Sequence, residues 1–144
     1  MSTSLWQQPL EAFQLSVAAA RPAPAGVATA SVTAALGVSL LIKVLRITGE
    51  RVDLLAPAEL LLSELRAVAD ADVEAVYAYI QTRDARGMIE IPARALRATD
   101  QAIDLCGLAA PHIKRLIAAD VTAATALLKG AKAAIMACIA ANNG

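Results

Sequence analysis

Aromatic side chains are nearly missing from this sequence: one Trp, two Tyr and one Phe occur in 144 residues. With 58% hydrophobic residues, the apolar excess must come mainly from Ala, Leu, Val and Ile. That blend favours closely packed helices, because Ala has the best helix propensity and small side chains let backbones approach. Histidine occurs once, as His112, and cysteine twice, as Cys106 and Cys138. The two cysteines are too far apart for a CxxC or Cys/His metal set, and one histidine does not make a zinc site. They are expected to be reduced thiols of a cytoplasmic protein, with no metal and no bound cofactor. An excess of one charge is lacking too: 13 Lys and Arg balance 13 Asp and Glu. The balance argues against a nucleic-acid partner and against an anionic membrane surface. The phosphate-loop, dinucleotide, HExxH and GxSxG patterns are all absent. Strand signals are missing as well, and the opening "MSTSLWQQPLEAF" has neither the basic nor the apolar segment of a signal peptide.

What is present is helical periodicity. Trp6, Leu10, Phe13 and Val17 share one face of an expected first helix, which breaks at "RPAPAG". Residues 22–42 carry no charge, yet their Ala, Ser, Thr, Gly and Pro content suits a buried central helix better than a membrane span. That helix is expected to run from Val27 to Thr48 and stop at Gly49. A third helix, with Pro57 in its first turn, places Leu61, Leu65, Val68, Asp72, Ala75 and Tyr79 on one stripe. "TRDARGMIEI" reads as a connector, with Pro92 opening a fourth helix and Pro111 ending it. The last helix is expected from about Asp120 to Asn142. The expected fold is all-α: one domain over residues 1–144, a compact bundle of about five helices. So many apolar faces in a short chain point to a homodimer.

Three charged residues lie within apolar helices: Lys43, Asp72 and Asp120. Unpaired charges in a core are costly, so each must reach water, pair, or serve a site. Asp120 could cap a helix start. Asp72 could pair with Arg66 or Arg83, and Lys43 could lay its stem on apolar surface with its ammonium in water. His112, beside Pro111, reads as a helix-end or surface residue.

The order of motifs resembles the cyclodeaminase/cyclohydrolase family of folate-processing helical domains. "PAGVATASVTAALGVSLLIKVLRITG" follows the family's PGGGS turn and small-residue helix, keeping Pro24, Gly26, Gly37, Leu40 and Thr48. "DADVEAVYAY" matches its D-x-D-x-x-A-Phe/Tyr pattern, the spacing from Pro92 to Asp120 matches a later segment, and Asn142 falls on a closing asparagine. The chain departs from the family at Ala28 for a serine, Lys114 and Cys138 for asparagines, and Ala119 for a serine. Lys43 stands where an apolar residue is usual, and the link between the third and fourth helices is shorter.

The resemblance implies a helical dimer with folate bound in a cleft near the subunit interface. It implies catalytic roles for Asp72 and Asp120; Lys43 is a third candidate from its charge within an apolar helix, not from the resemblance. Pro24, Gly26, Ala28, Tyr79 and Asn142 would bind substrate. The implied reaction is hydrolysis or ammonia-releasing closure at a cyclic amidinium C–N bond, such as the methenyl bridge of tetrahydrofolate. Two alternatives stay open: C–N or iminium chemistry on a non-folate metabolite, and a helical dimer without catalysis.

Overall fold

Polar contacts tie the start of the chain to the bundle. Asp70 accepts from the Ser4 hydroxyl at 2.6 Å and from the Leu5 amide at 2.8 Å. Trp6 Nε1 donates to the Arg66 carbonyl at 3.0 Å, and the Arg66 guanidinium lies 5.3 Å from the centre of the indole ring. The computed structural model, which describes residues 3–143, therefore divides the expected first helix. A 3₁₀ turn covers Leu5–Gln7, and after Pro9 a short α1 runs over Leu10–Ala18 without burying any of its residues.

Four long helices follow: α2 (Gly26–Thr48), α3 (Leu55–Thr82), α4 (Arg86–Ala109) and α5 (Arg115–Asn142). The fold is all-α, with no strand among the described residues. Gly49 ends α2 as expected: its φ of 67° is left-handed and its N–H reaches the Leu45 carbonyl at 3.1 Å, the geometry glycine adopts most cheaply. Pro57 sits in the first turn of α3, where a missing N–H leaves no bond unmade. The link from α3 to α4 is residues 83–85. Asp84 fixes it by accepting from the Arg86 amide at 3.1 Å and from its guanidinium at 3.0 and 2.8 Å.

Two expected boundaries are overturned. No connector spans 82–91, because α4 already begins at Arg86 and Pro92 lies inside it. A helical residue at 92 would donate to the Met88 carbonyl, and proline cannot. Asn142 Nδ2, from the end of α5, donates to that carbonyl instead at 3.2 Å. Likewise α5 starts at Arg115, so Asp120 is an interior residue and not a helix cap.

The long helices alternate in direction, and ion pairs mark each seam. Arg46–Glu59 joins α2 to α3 at 3.1 Å, Arg94–Glu64 joins α3 to α4 at 2.9 Å, and Lys132–Asp100 joins α4 to α5 at 2.7 Å. Lys43–Asp120 closes the ring between α5 and α2 at 3.0 Å. The result is an antiparallel four-helix bundle with α1 outside it. Its core is aliphatic, with Leu41, Leu45, Leu65, Leu128 and Ile135 fully buried. Gly37 brings α2 close to α5, since a Cβ there would lie 3.1 Å from Leu128 Cγ and 3.2 Å from the Ala124 carbonyl oxygen.

The outer surface is unevenly covered. By length and composition both α2 and α5 are apolar enough to cross a membrane, but 61% of the apolar window of α2 is buried against 22% for α5. The core explains the hydropathy of α2. The outer face of α5, largely alanine, remains open.

Candidate functional site

The amino end of α2 needs an acceptor. Its first amides have no intrahelical partners, and its N-cap residue, Ala25, offers no side-chain hydrogen bond. Asp72 reaches this end from α3, near the Ala28 N–H. A carboxylate at a helix amino end is favoured by the aligned peptide dipoles and by the free amides. Burial works against it: Asp72 is only 4% exposed. Loss of water dominates, and the carboxyl is pushed up from 3.8 to about 6, with the Ala28 amide pulling the other way. A carboxyl with such a pKa is mainly ionised at neutral pH and still able to take and return a proton.

Cys138 arrives from α5 at the same place. Its thiol is held above its usual range by burial and by the charge of Asp72. Gly26 makes room for it, since a Cβ at that position would lie 2.5 Å from the Cys138 sulfur. Replacing Gly26 with Ala is expected to cost about 1–3 kcal/mol through overpacking, and Cys138→Ala in the same chain should recover most of the loss. Thermal unfolding of the single and double variants checks the pair.

A groove opens beside this cluster, between α2 and α5, with a volume of about 490 Å³. Pro24, Gly26, Thr29, Thr33, Gly130 and Ala134 line it, and none of its lining residues is charged. Thr33 Oγ1 donates to the Thr29 carbonyl at 3.0 Å. Thr29 Oγ1 is buried and has no hydrogen-bond partner among the described residues, an uncommon state for a hydroxyl. The turn leading into the groove is held by the Tyr77 hydroxyl, 3.4 Å from the Ala23 carbonyl.

Of the residues expected in a site, Asp72, Pro24, Gly26 and Ala28 come together. Lys43 and Asp120 do not join them. They pair with each other at 3.0 Å, about 22 Å along α2 from Ala28 at 1.5 Å rise per residue. Asp72 pairs with neither Arg66 nor Arg83: Arg66 lies over Trp6, and Arg83 over Tyr79 at 5.6 Å from the ring centre. Tyr79 is exposed near the end of α3, and Asn142 commits its amide to Met88. Among the described residues, no three His, Cys, Asp or Glu side chains gather as a metal-binding group.

Sequence reasoning missed the groove itself. Thr29 and Thr33 fall on the outer stripe of α2, and Gly130 is a lone glycine in an alanine-rich helix. That glycine was the one visible sign of an opening. The amino-acid sequence of residues 9–87, more than half of the chain and covering α1, α2, α3 and the first residues of α4, matches a family model described as formiminotransferase-cyclodeaminase. No curated protein matches the sequence.

Proposed function

Since the chain belongs to the formiminotransferase-cyclodeaminase family, which is folate-related, we propose that it acts on a cyclic amidinium C–N bond, such as the methenyl bridge of a tetrahydrofolate. The supporting observation is Asp72, a buried carboxyl with its pKa raised to about 6 at the amino end of α2. In hydrolysis, water adds to the cationic amidinium carbon and Asp72 takes the proton that water loses. The C–N bond then breaks, Asp72 returns that proton to the departing nitrogen, and the hydroxyl of the adduct releases its own proton to water, leaving an N-formyl group. In the ammonia-releasing direction, a second amine nitrogen of the substrate attacks the carbon of the protonated formimino group, and the same carboxyl relays the attacking nitrogen's proton to the departing ammonia, leaving the cyclic amidinium cation. Either way a carboxylate beside a cationic carbon stabilises it electrostatically. Gly26 and Pro24 line the groove in which the substrate ring would rest.

The same reading takes the protein as a cytoplasmic homodimer, with the open apolar face of α2 and α5 as its interface. A smaller, non-folate substrate is the second reading. It is favoured by Cys138, a weakly polar thiol lying against Asp72 where the family has an asparagine.

The test is the pH dependence of the loss of methenyl absorbance. With Asp72 as the base, kcat/KM should rise with pH and level off above about 6 in the free enzyme. A rate that exceeds the uncatalysed one nowhere between pH 5 and 8, from folded protein, would sink the folate reading and leave the smaller substrate to be sought.

A further inference from the structure

The chain touches α3 twice before it enters the bundle. Ser4 and Leu5 donate to Asp70, and the Tyr77 hydroxyl meets the Ala23 carbonyl at 3.4 Å. The two anchors are about 10 Å apart along α3, at 1.5 Å rise per residue. The chain between them, residues 5–23, contains all of α1 and is far longer than that span needs. It therefore arches, and α1 stands off the bundle with none of its residues buried. Under the arch lies a pocket of about 260 Å³. It shares only Pro24 with the groove between α2 and α5.

Helical spacing builds one wall of this pocket. Asp70, Val73, Glu74 and Tyr77 lie on one stripe of α3 and all line it. Asp72, two residues from both carboxylates, is turned about 200° away, towards the core. Arg21 lines the same pocket from the turn after α1 and makes no ion pair with Asp70 or Glu74. Arg21 and Glu74 are both exposed, and neither side chain has a charged partner among the described residues. Each Asp70 oxygen accepts one bond from the first anchor and can accept another. Leu5, Ala23 and Val73 are buried and give the pocket an apolar floor.

We infer that this pocket binds a small aliphatic α-amino acid as its zwitterion. The ligand's carboxylate pairs with Arg21, whose planar fork matches two oxygens at once. Its ammonium has three N–H donors, and Glu74, Asp70 and the Tyr77 oxygen are the acceptors. Its side chain rests on Leu5, Ala23 and Val73. Neither half of the ligand suffices: an amine leaves Arg21 unpaired, and a carboxylic acid leaves Glu74 unpaired. The volume lies just below the roughly 300–1,000 Å³ of sites for drug-sized ligands, too little for a nucleotide or a folate. A ligand of about eight non-hydrogen atoms binds in the micromolar to millimolar range. The pocket takes no part in the reaction proposed above, so its test needs no turnover.

Equilibrium dialysis of the whole chain against labelled L-valine is that test. Saturable uptake of one molecule per chain is expected. Unlabelled L-valine should displace it at least about tenfold better than isobutylamine or isovalerate, which each keep one of the two charges. E74Q and R21M should each weaken uptake about 10–100-fold, the range for losing a hydrogen bond to a charged group. Both side chains are exposed, so the two variants should melt as the wild type does, which separates lost charge from lost folding. D72N, on the opposite face of α3, should bind L-valine as the wild type does. Three results overturn the inference: no saturable uptake up to about 10 mM, equal displacement by isobutylamine or isovalerate, or uptake that survives both E74Q and R21M.

Discussion

Asp72→Asn is expected to lower kcat by about 10²–10⁴-fold, the range for losing a general acid–base group, while making the protein more stable at neutral pH. The sign follows from burial. Folding raises the carboxyl from 3.8 to about 6, so the folded state favours its protonated form. Stability is complete below about pH 4, where Asp72 is protonated in both states. It declines as pH rises and is lost above about 6. The loss is roughly 3 kcal/mol, at about 1.4 kcal/mol for each pH unit between the unfolded and folded values. Asparagine carries no charge to desolvate and can still accept from the Ala28 amide. At pH 7.5 the variant should therefore melt about 6–12 °C above wild type, at 2–4 °C per kcal/mol, and at pH 4 the two should nearly coincide. Melting curves at both pH values check this. A variant that loses stability at pH 7.5 would show that the carboxylate is a structural cap and not a group held at a stability cost for function.

The second large effect lies in the core. Leu128→Ala should destabilise the bundle by about 2–5 kcal/mol, the range for buried leucines whose surroundings relax incompletely. Leu128 is fully buried against Gly37, where the backbones of α2 and α5 are drawn together. A methyl at residue 37 would lie 3.1 Å from Leu128 Cγ, inside the space that the truncation vacates. Gly37→Ala should thus cost stability in the wild type and return part of it in Leu128→Ala. The Ala124 carbonyl, 3.2 Å from the same Cβ, keeps the recovery incomplete. Chemical denaturation of the four proteins gives the coupling directly. Additive losses would mean that the two residues do not share one cavity wall.

Much of the fold was legible because its signals are local. The extent of α2, the Gly49 stop and the buried stripe Leu61, Leu65, Val68, Asp72 and Ala75 all follow from helical spacing and one left-handed glycine. Pro92 misled because its missing hydrogen bond is made good by Asn142, 54 residues from Met88, and no local pattern shows such a partner. Asp120 misled for a related reason: its partner, Lys43, is 77 residues away, so a carboxylate read as a helix cap belongs to an inter-helix pair. The site was half legible. Asp72 and the turn from Pro24 to Ala28 were visible as charge and as motif. The groove arises where small residues on α2 face small residues on α5, and that correspondence exists only once the two helices are set side by side.

The seam between α2 and α5 also shapes how the molecule forms. Three of the four helix contacts join neighbours in sequence through short links, so most contacts are local and topology allows folding in microseconds to milliseconds. The fourth joins the first long helix to the last, and its loop-closure entropy is offset only after the other helices have assembled. The groove lies on that seam. The groove is thus the last part of the bundle to form, so a chain whose final helix is delayed holds a nearly finished core and no groove.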